Sequence, residues 1–372
     1  MSNSADRLDR YDGYLQQDPD NTSLAVEAFE LALSLGLHAR AEGYLDQAQV
    51  ASGEAPYLQH RRATLRAAQG RWEEALTLQA ELCRRYPADT DLSAALATLM
   101  HYAGRYQEAD TIWSALQQGG AIPGYAWANR LRTLHFLARL DDAMQLGQAH
   151  AETLQGLPEA AGVLSLVAVD AGRFDDARRW SQLALEALPD SVEALTTAGA
   201  LALACKDPAG AIAALKQVVQ SKPQEGRAWS SLGVAYLLLQ EAAAAQAHFQ
   251  HALALMPEHI GSWHGLGWTC LLMGDIAQAK AAFEQALSLD RNFGESHGAV
   301  AVACALSGLR DEAGRHIDLA QRLDPTGLSA RFAQAVLSGA LERPVEFQAL
   351  VARALRGVEA PDGRSLIDWI RQ

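Results

Sequence analysis

Among residues whose type and spacing could do chemistry, three histidines come first. His248 and His251 lie one helical turn apart and His259 follows, a spacing compatible with metal ligation. Histidines on the outer side of a helix usually serve only as surface side chains, so no metal site is expected. The carboxylate pairs Glu73-Glu74, Asp141-Asp142 and Asp175-Asp176 offer the residue types of general acid–base catalysis. All three occupy one recurring position near the start of a helix, where negative charge complements the helix dipole, which predicts a structural role. The glycine cluster Gly265-Leu266-Gly267 lies inside a helical pattern and not after a strand, so it is not expected to cradle a nucleotide. No P-loop, H-E-x-x-H, G-x-S-x-G or EF-hand pattern is present. Neither catalysis nor a cofactor is therefore expected.

The elements that carry these residues are legible in residues 226–259. Trp229, Leu232, Gly233 and Tyr236, then Ala245, Phe249 and Ala252, then Pro257, spell W-x2-L-G-x2-Y, A-x3-F-x2-A and P. Gly233 and Ala245 allow two helices to approach closely, the aromatic side chains fill the space around that contact, and Pro257 stops the second helix. Steps of 34 residues from Ala245 land on Ala41, Ala75, Ala109, Ala143, Ala177, Ala211, Ala279 and Ala313. The same step gives Pro19, Pro87, Pro189, Pro223 and Pro325, and between the helices Gly36, Gly70, Gly104, Gly172, Gly274 and Gly308, residues suited to a left-handed helix C-cap.

This pattern resembles the tetratricopeptide-repeat (TPR) family over most of the chain. The resemblance implies an all-α fold, an α–α superhelix built from a solenoid of helix-turn-helix repeats and read as one elongated unit. Nine hairpins would begin at Thr22, Pro56, Thr90, Gly124, Pro158, Val192, Gly226, Ile260 and Gly294. The expected organisation is an N-terminal capping half-repeat (1–21), nine repeats (22–327), a degenerate tenth helical hairpin (328–360) and a C-terminal capping helix (361–372) with Leu366, Ile367, Trp369 and Ile370 on one face. Two turns depart from the pattern. Lys206 replaces the glycine ahead of Asp207-Pro208, a good N-cap and first helical residue, and Gln240-Glu241 stands at the next.

Bulk properties narrow the function. The net charge of -13 disfavours a protein whose main work is neutralising phosphates, so no nucleic-acid partner is expected. Cys83, Cys205, Cys270 and Cys304 show no C-x-x-C spacing, and Cys270 and Cys304 take the place of Tyr236 in their repeats, as small buried hydrophobes. That usage suits a reducing compartment. No apolar run reaches the ~18 residues of a membrane span and the first residues are polar, so a cytoplasmic location is expected. Abundant Arg, Ala and Leu with few lysines points to a GC-rich bacterial source.

In the TPR family, ligands commonly lie in the concave groove lined by the first helix of each hairpin. The columns aligned with Arg227, Ser230, Val234, Leu237 and Leu238 would line it here. From the second to the fourth repeat they hold Tyr57, His60, Thr64, His101, Tyr102, Tyr125, Arg132, His135 and Phe136. Later they hold Leu166, Val169, Leu203, Val234, Leu237, Leu238, His264, Trp268, Leu271, Leu272, Val302 and Leu306. The groove is thus expected to be polar-aromatic at one end and apolar at the other, with Trp268 as an anchor, although Trp268, Leu237 and Leu271 are also suited to packing between helices. Chaperone-tail-binding TPR domains carry a Lys/Asn set missing here, and of the asparagine ladder of glycosyltransferase-type arrays only Asn129 has a counterpart.

The expectation is a non-catalytic scaffold, an adaptor, assembly factor or chaperone, that binds a protein or peptide such as an amphipathic helix. A homo-oligomer is compatible with this reading. The alternatives are an accessory subunit of an enzyme complex, as in glycan synthesis or export, and a ligand-sensing regulator.

Overall fold

The structure, a computed structural model, describes residues 2–120 and 122–339. The expected C-terminal helix of 361–372 and most of the second half of the 328–360 hairpin lie outside the described residues. Those described form helices joined by short turns, with no strand among them. They divide into two compact units, Met1–Ala160 and Ala161–Gln372, where the sequence led to the expectation of one.

The first unit opens with α1 (Ser2–Gln17) and continues as α2 (Thr22–Ser34) with α3 (His38–Ser52), α4 (Pro56–Ala68) with α5 (Trp72–Arg85), and α6 (Thr90–Tyr102) with α7 (Tyr106–Gln118). Its fourth hairpin is irregular. A 3-10 turn (Gly124–Ala126) precedes α8 (Trp127–Phe136), and the return helix is split into α9 (Leu140–Ala149) and α10 (Ala151–Gln155) at His150. Where Pro223 and Pro257 follow continuous second helices, this repeat has no proline in that column, and Gly156 ends α10 instead.

α11 (Pro158–Asp170) spans the division between the units, and the second unit continues with α12 (Phe174–Ala187). The next pairs are α13 (Val192–Ala204) with α14 (Pro208–Ser221), α15 (Gly226–Leu238) with α16 (Ala242–Leu255), α17 (Ile260–Leu272) with α18 (Ile276–Leu289), and α19 (Gly294–Leu306) with α20 (Arg310–Leu323). Last among the described residues comes α21 (Leu328–Leu337).

Two columns explain why the hairpins close. Ala41, Ala75, Ala109, Ala143, Ala177, Ala211, Ala245, Ala279 and Ala313 are all fully buried, as a residue at the tightest helix contact must be. Gly199, Gly233 and Gly267 sit opposite large side chains of the paired helix. A Cβ at these positions would come within 2.6 Å of Leu215, 2.8 Å of Phe249 and 2.3 Å of Phe283 respectively, so only glycine lets those side chains fill the hairpin.

The turns obey one rule in all nine hairpins. The residue two before each second helix has positive φ: Gly36, Gly70, Gly104, Gly172, Gly274 and Gly308, and also Ala138 (55°), Lys206 (54°) and Gln240 (61°). Each next residue donates its N–H to the carbonyl five positions back, as in Leu37 to Ala32, Arg139 to Leu134 and Asp207 to Ala202, the C-cap bond that closes a first helix. Three side-chain-bearing residues thus accept a left-handed conformation that costs them about 1 kcal/mol each. Asp207 caps α14 as its sequence predicts, accepting from the Gly210 N–H at 2.9 Å with Pro208 at the first helical position.

Candidate functional site

The first helices of successive hairpins are tied side to side by buried polar groups about 32 residues apart. His101 Nδ1 lies 3.1 Å from Thr133 Oγ1, Ser165 Oγ 2.9 Å from Thr197 Oγ1, Ser262 Oγ donates to Ser230 Oγ at 2.9 Å, and His264 Nε2 lies 2.9 Å from Ser296 Oγ. These bonds consume the polar groups that helical periodicity places under the groove columns. Burial lowers the pKa of His264, and burial followed by the nearby Arg132 charge takes His101 down to about 4.

Several residues expected to line the groove therefore belong to its floor or lie beneath it. His101 is buried, its imidazole held by Thr133 and packed edge-on against Tyr102 and Phe136. His60 is half-buried and bonded to Gln79 at 2.9 Å. Val302 is fully buried in a cluster with Ala301 and Ile317, against which Trp268 and Leu271 pack. Trp268 is half-buried, its ring 5.5 Å from that of Phe283 and 6.2 Å from that of Phe332, so it is an inter-helix filler and not a free anchor. Leu166, Val169, Leu203 and Leu237 are half-buried, as is His135, and Arg132 donates to Asn129 Oδ1 at 2.9 Å.

What remains outside forms a clear series. Tyr102, Phe136, Leu238, Leu272 and Leu306 are the last residues of their first helices, and they are 55%, 60%, 42%, 69% and 37% exposed. All five fall in one column of the repeat. Tyr57 and Tyr125 share a second exposed column, Tyr125 donating its hydroxyl to Asp91 at 3.0 Å, and Val234 is exposed one turn before Leu238. Tyr102 and Phe136 belong to the first unit and the leucines to the second, so each unit carries its own part of the polar-aromatic and apolar sets.

Sequence reasoning missed two features. Trp229 and Trp263 donate their indole N–H to the carbonyls of Pro223 and Pro257, both at 2.8 Å, and the same column supplies His297 Nε2 to Arg291 O at 3.1 Å and Arg331 to Pro325 O at 3.2 Å. In these four successive repeats the column carries an N–H donor that pins the incoming loop, whereas the two before them hold Leu195 and Ala161; the shared spacing was legible, the shared chemistry was not. The second is an ion network in the first unit: the buried pair Asp110 and Arg130 extends to the exposed Arg139, 2.7 Å from Asp110. Arg130 stands where the repeat pattern has Leu232, so its charge is buried at an apolar position.

The residues weighed for chemistry have structural surroundings. His248 stacks between Trp229 and Tyr236, and His251 lies 4.1 Å from the Trp229 ring. Glu74 and Asp142 pair with Arg71 and Arg139 across the turn, both at 2.6 Å. Cys270 and Cys304 are buried, and burial pushes the Cys304 thiol up to about 11, far from a reactive thiolate. Among the described residues no group of three or more potential ligands is placed to hold a metal, and no helix is long and apolar enough to cross a membrane.

Models of the tetratricopeptide repeat match residues 168–235 and 224–292. Among solved structures, the APC/C hetero-tetramer Cut9–Hcn1 aligns over 90% of this chain and 81% of that one, with a TM-score of 0.60 at 14% identity, a likeness of fold alone. MamA aligns at 29% identity over 42% of this chain and 92% of that one, with a TM-score of 0.38. TTC0263, a thermophilic TPR protein of Thermus thermophilus, aligns at 24% identity over 48% of this chain and 98% of that one, with a TM-score of 0.41. No curated protein matches the chain. The matched repeats share the 34-residue step of the whole array, and the chain carries tetratricopeptide repeats over residues 168–292.

Proposed function

We propose that the chain is a non-catalytic scaffold that binds another protein along the face formed by its first helices. One observation carries this reading: the column that ends each first helix leaves bulky side chains exposed in both units, Tyr102 and Phe136 in the first and Leu238, Leu272 and Leu306 in the second. Such side chains cost solubility unless something covers them, and within each unit, where successive repeats carry them, their spacing suits a helix or extended segment that meets one residue per repeat; between the two sets the column holds Asp170 and Ala204. The leucine-bearing part favours the apolar face of such a segment, and the part with Tyr57, Tyr102, Tyr125 and Arg132 favours polar or acidic side chains. TPR repeats generally serve protein–protein interaction, and adaptor, assembly or chaperone roles all use a face of this type.

The test compares affinity capture by wild type and by a Leu238→Asp, Leu272→Asp variant whose thermal unfolding is unchanged. Both side chains are exposed, so the fold should tolerate the carboxylates while an apolar ligand would have to desolvate them. Loss of a partner that wild type retains supports the reading; an identical set of partners, bound equally tightly, contradicts it.

A further inference from the structure

The crevice between α12 and α13 differs from the corresponding crevice one repeat later, between α14 and α15. In the later one the space is filled by the chain itself. Leu215 and Leu232 are fully buried there, and Ile212 and Tyr236 pack against them. The Tyr236 ring stacks on His248 at 4.9 Å, and Lys216 Nζ lies 5.9 Å from its centre.

A step of 34 residues back replaces each of these fillers. Ile212 becomes Arg178, Leu215 becomes Ser181, Leu232 becomes Ala198 and Tyr236 becomes Ala202. Ser181 turns its hydroxyl to its own helix, donating to Arg178 O at 3.0 Å. The result is an open groove of about 680 Å³ lined by these four residues, with Glu186 and Asp207 also on its wall. Three of the four replacements, at Ser181, Ala198 and Ala202, put a smaller side chain where the next repeat has a bulky one.

We infer that this groove is a docking pocket for a tyrosine-type aromatic side chain carried by a partner polypeptide with a basic residue beside it. The ring takes the place that Tyr236 occupies one repeat later, on the methyl groups of Ala198 and Ala202; Gln182, bonded to Glu186 at 2.9 Å, stands where Lys216 faces Tyr236, and Arg178 also lines the groove. Glu186 and Asp207 give the wall an excess of negative charge over Arg178, which selects a cationic neighbour. The pocket lies at the junction of a second helix with the next first helix, and the site is separate from the exposed column described above.

Cys205 lines the same groove and is exposed, which provides a reporter. The full-length protein is treated with a thiol reagent in the presence of acetyl-Lys-Tyr-amide, acetyl-Lys-Ala-amide or acetyl-Glu-Tyr-amide, and modification of Cys205 is followed by peptide mass spectrometry. Lys-Tyr should slow modification saturably, with an apparent affinity at least about fivefold above those of the other two, the size expected of one aromatic contact or one charge preference. Ala202→Tyr, which restores the chain's own filler, should abolish the protection, and Ala198→Leu should do the same if the first variant is poorly folded. Equal protection by Lys-Tyr and Lys-Ala, or protection that survives in the filled variants, would overturn the proposal. Equal protection by Lys-Tyr and Glu-Tyr would overturn its basic flank.

Discussion

The two units run on the same 34-residue step but lock their helices differently. In the second unit the hairpins are filled by Leu215, Phe249 and Phe283 seated against Gly199, Gly233 and Gly267, all apolar and buried. In the first unit the same filler column holds Leu45, Gln79 and Trp113, and charged groups enter at other columns: Arg66 bonds Glu42 at 2.6 Å, and the buried Arg130 and Asp110 pair with each other and, at the surface, with Arg139. The TPR models match residues 168–292, inside the second unit. The period alone thus suffices to specify a hairpin, because the alanine column and the left-handed turn are common to both units. The filler column accepts Leu45, Gln79 and Trp113 as well as Leu215, Phe249 and Phe283, and Gln79 keeps its amide bonded to His60 and to the Leu92 carbonyl.

The largest expected effect breaks the polar lock. Asp110→Ala leaves the buried Arg130 guanidinium without its main counter-charge and should cost ~3–5 kcal/mol by urea denaturation. A double variant, Arg130→Leu with Asp110→Met, imports the apolar lock and should recover most of that loss. If Asp110→Ala proves no worse than a surface substitution, the network does not hold the first unit together.

Protonation probes the same contrast. His101 has a folded pKa near 4 against about 6.5 for an unconstrained imidazole, so the unfolded chain binds more protons between these values. Stability should therefore be complete above pH 6.5 and fall as the pH drops towards 4, by on the order of 3 kcal/mol for this group. His248, His259, His264 and His316 are shifted in the same direction, mainly by burial. His101→Gln, which keeps a polar partner for Thr133, should flatten the part of the profile belonging to the first unit; an unchanged profile would show that His101 is not responsible.

The smallest effects lie at the turns. Ala138→Gly, Lys206→Gly and Gln240→Gly should each stabilise by up to ~1 kcal/mol, because the left-handed strain they relieve exceeds the added freedom of the unfolded chain. Gly172→Ala at the same turn position should destabilise by a similar ~1 kcal/mol. A loss of stability in all three glycine variants would contradict the assigned turn geometry.

Spacing made much of this legible in the sequence. The alanine column, the capping residues Asp207 and Pro208 and the aromatic change along the groove columns all follow from residue type at a fixed step. Side-chain burial did not follow, because helical phase places His101, Val302 and Trp268 on the groove side while packing against the next repeat covers them. The α12–α13 groove was hidden for another reason: it is made by small side chains, and a missing filler leaves no motif. The split of α9 from α10 had no mark in the sequence, since α3 and α18 also lack the column's proline and are continuous.

The central claim is that the exposed ends of the first helices form the binding face. A photocrosslinking amino acid placed at Leu272, and in a separate protein at Gln285 on the partnering helix α18, compares the two faces in cells of the native source. A discrete partner adduct is expected from position 272 and none from 285. Adducts at 285 alone, or no adduct at 272 while a partner still co-purifies, would place binding elsewhere on the molecule.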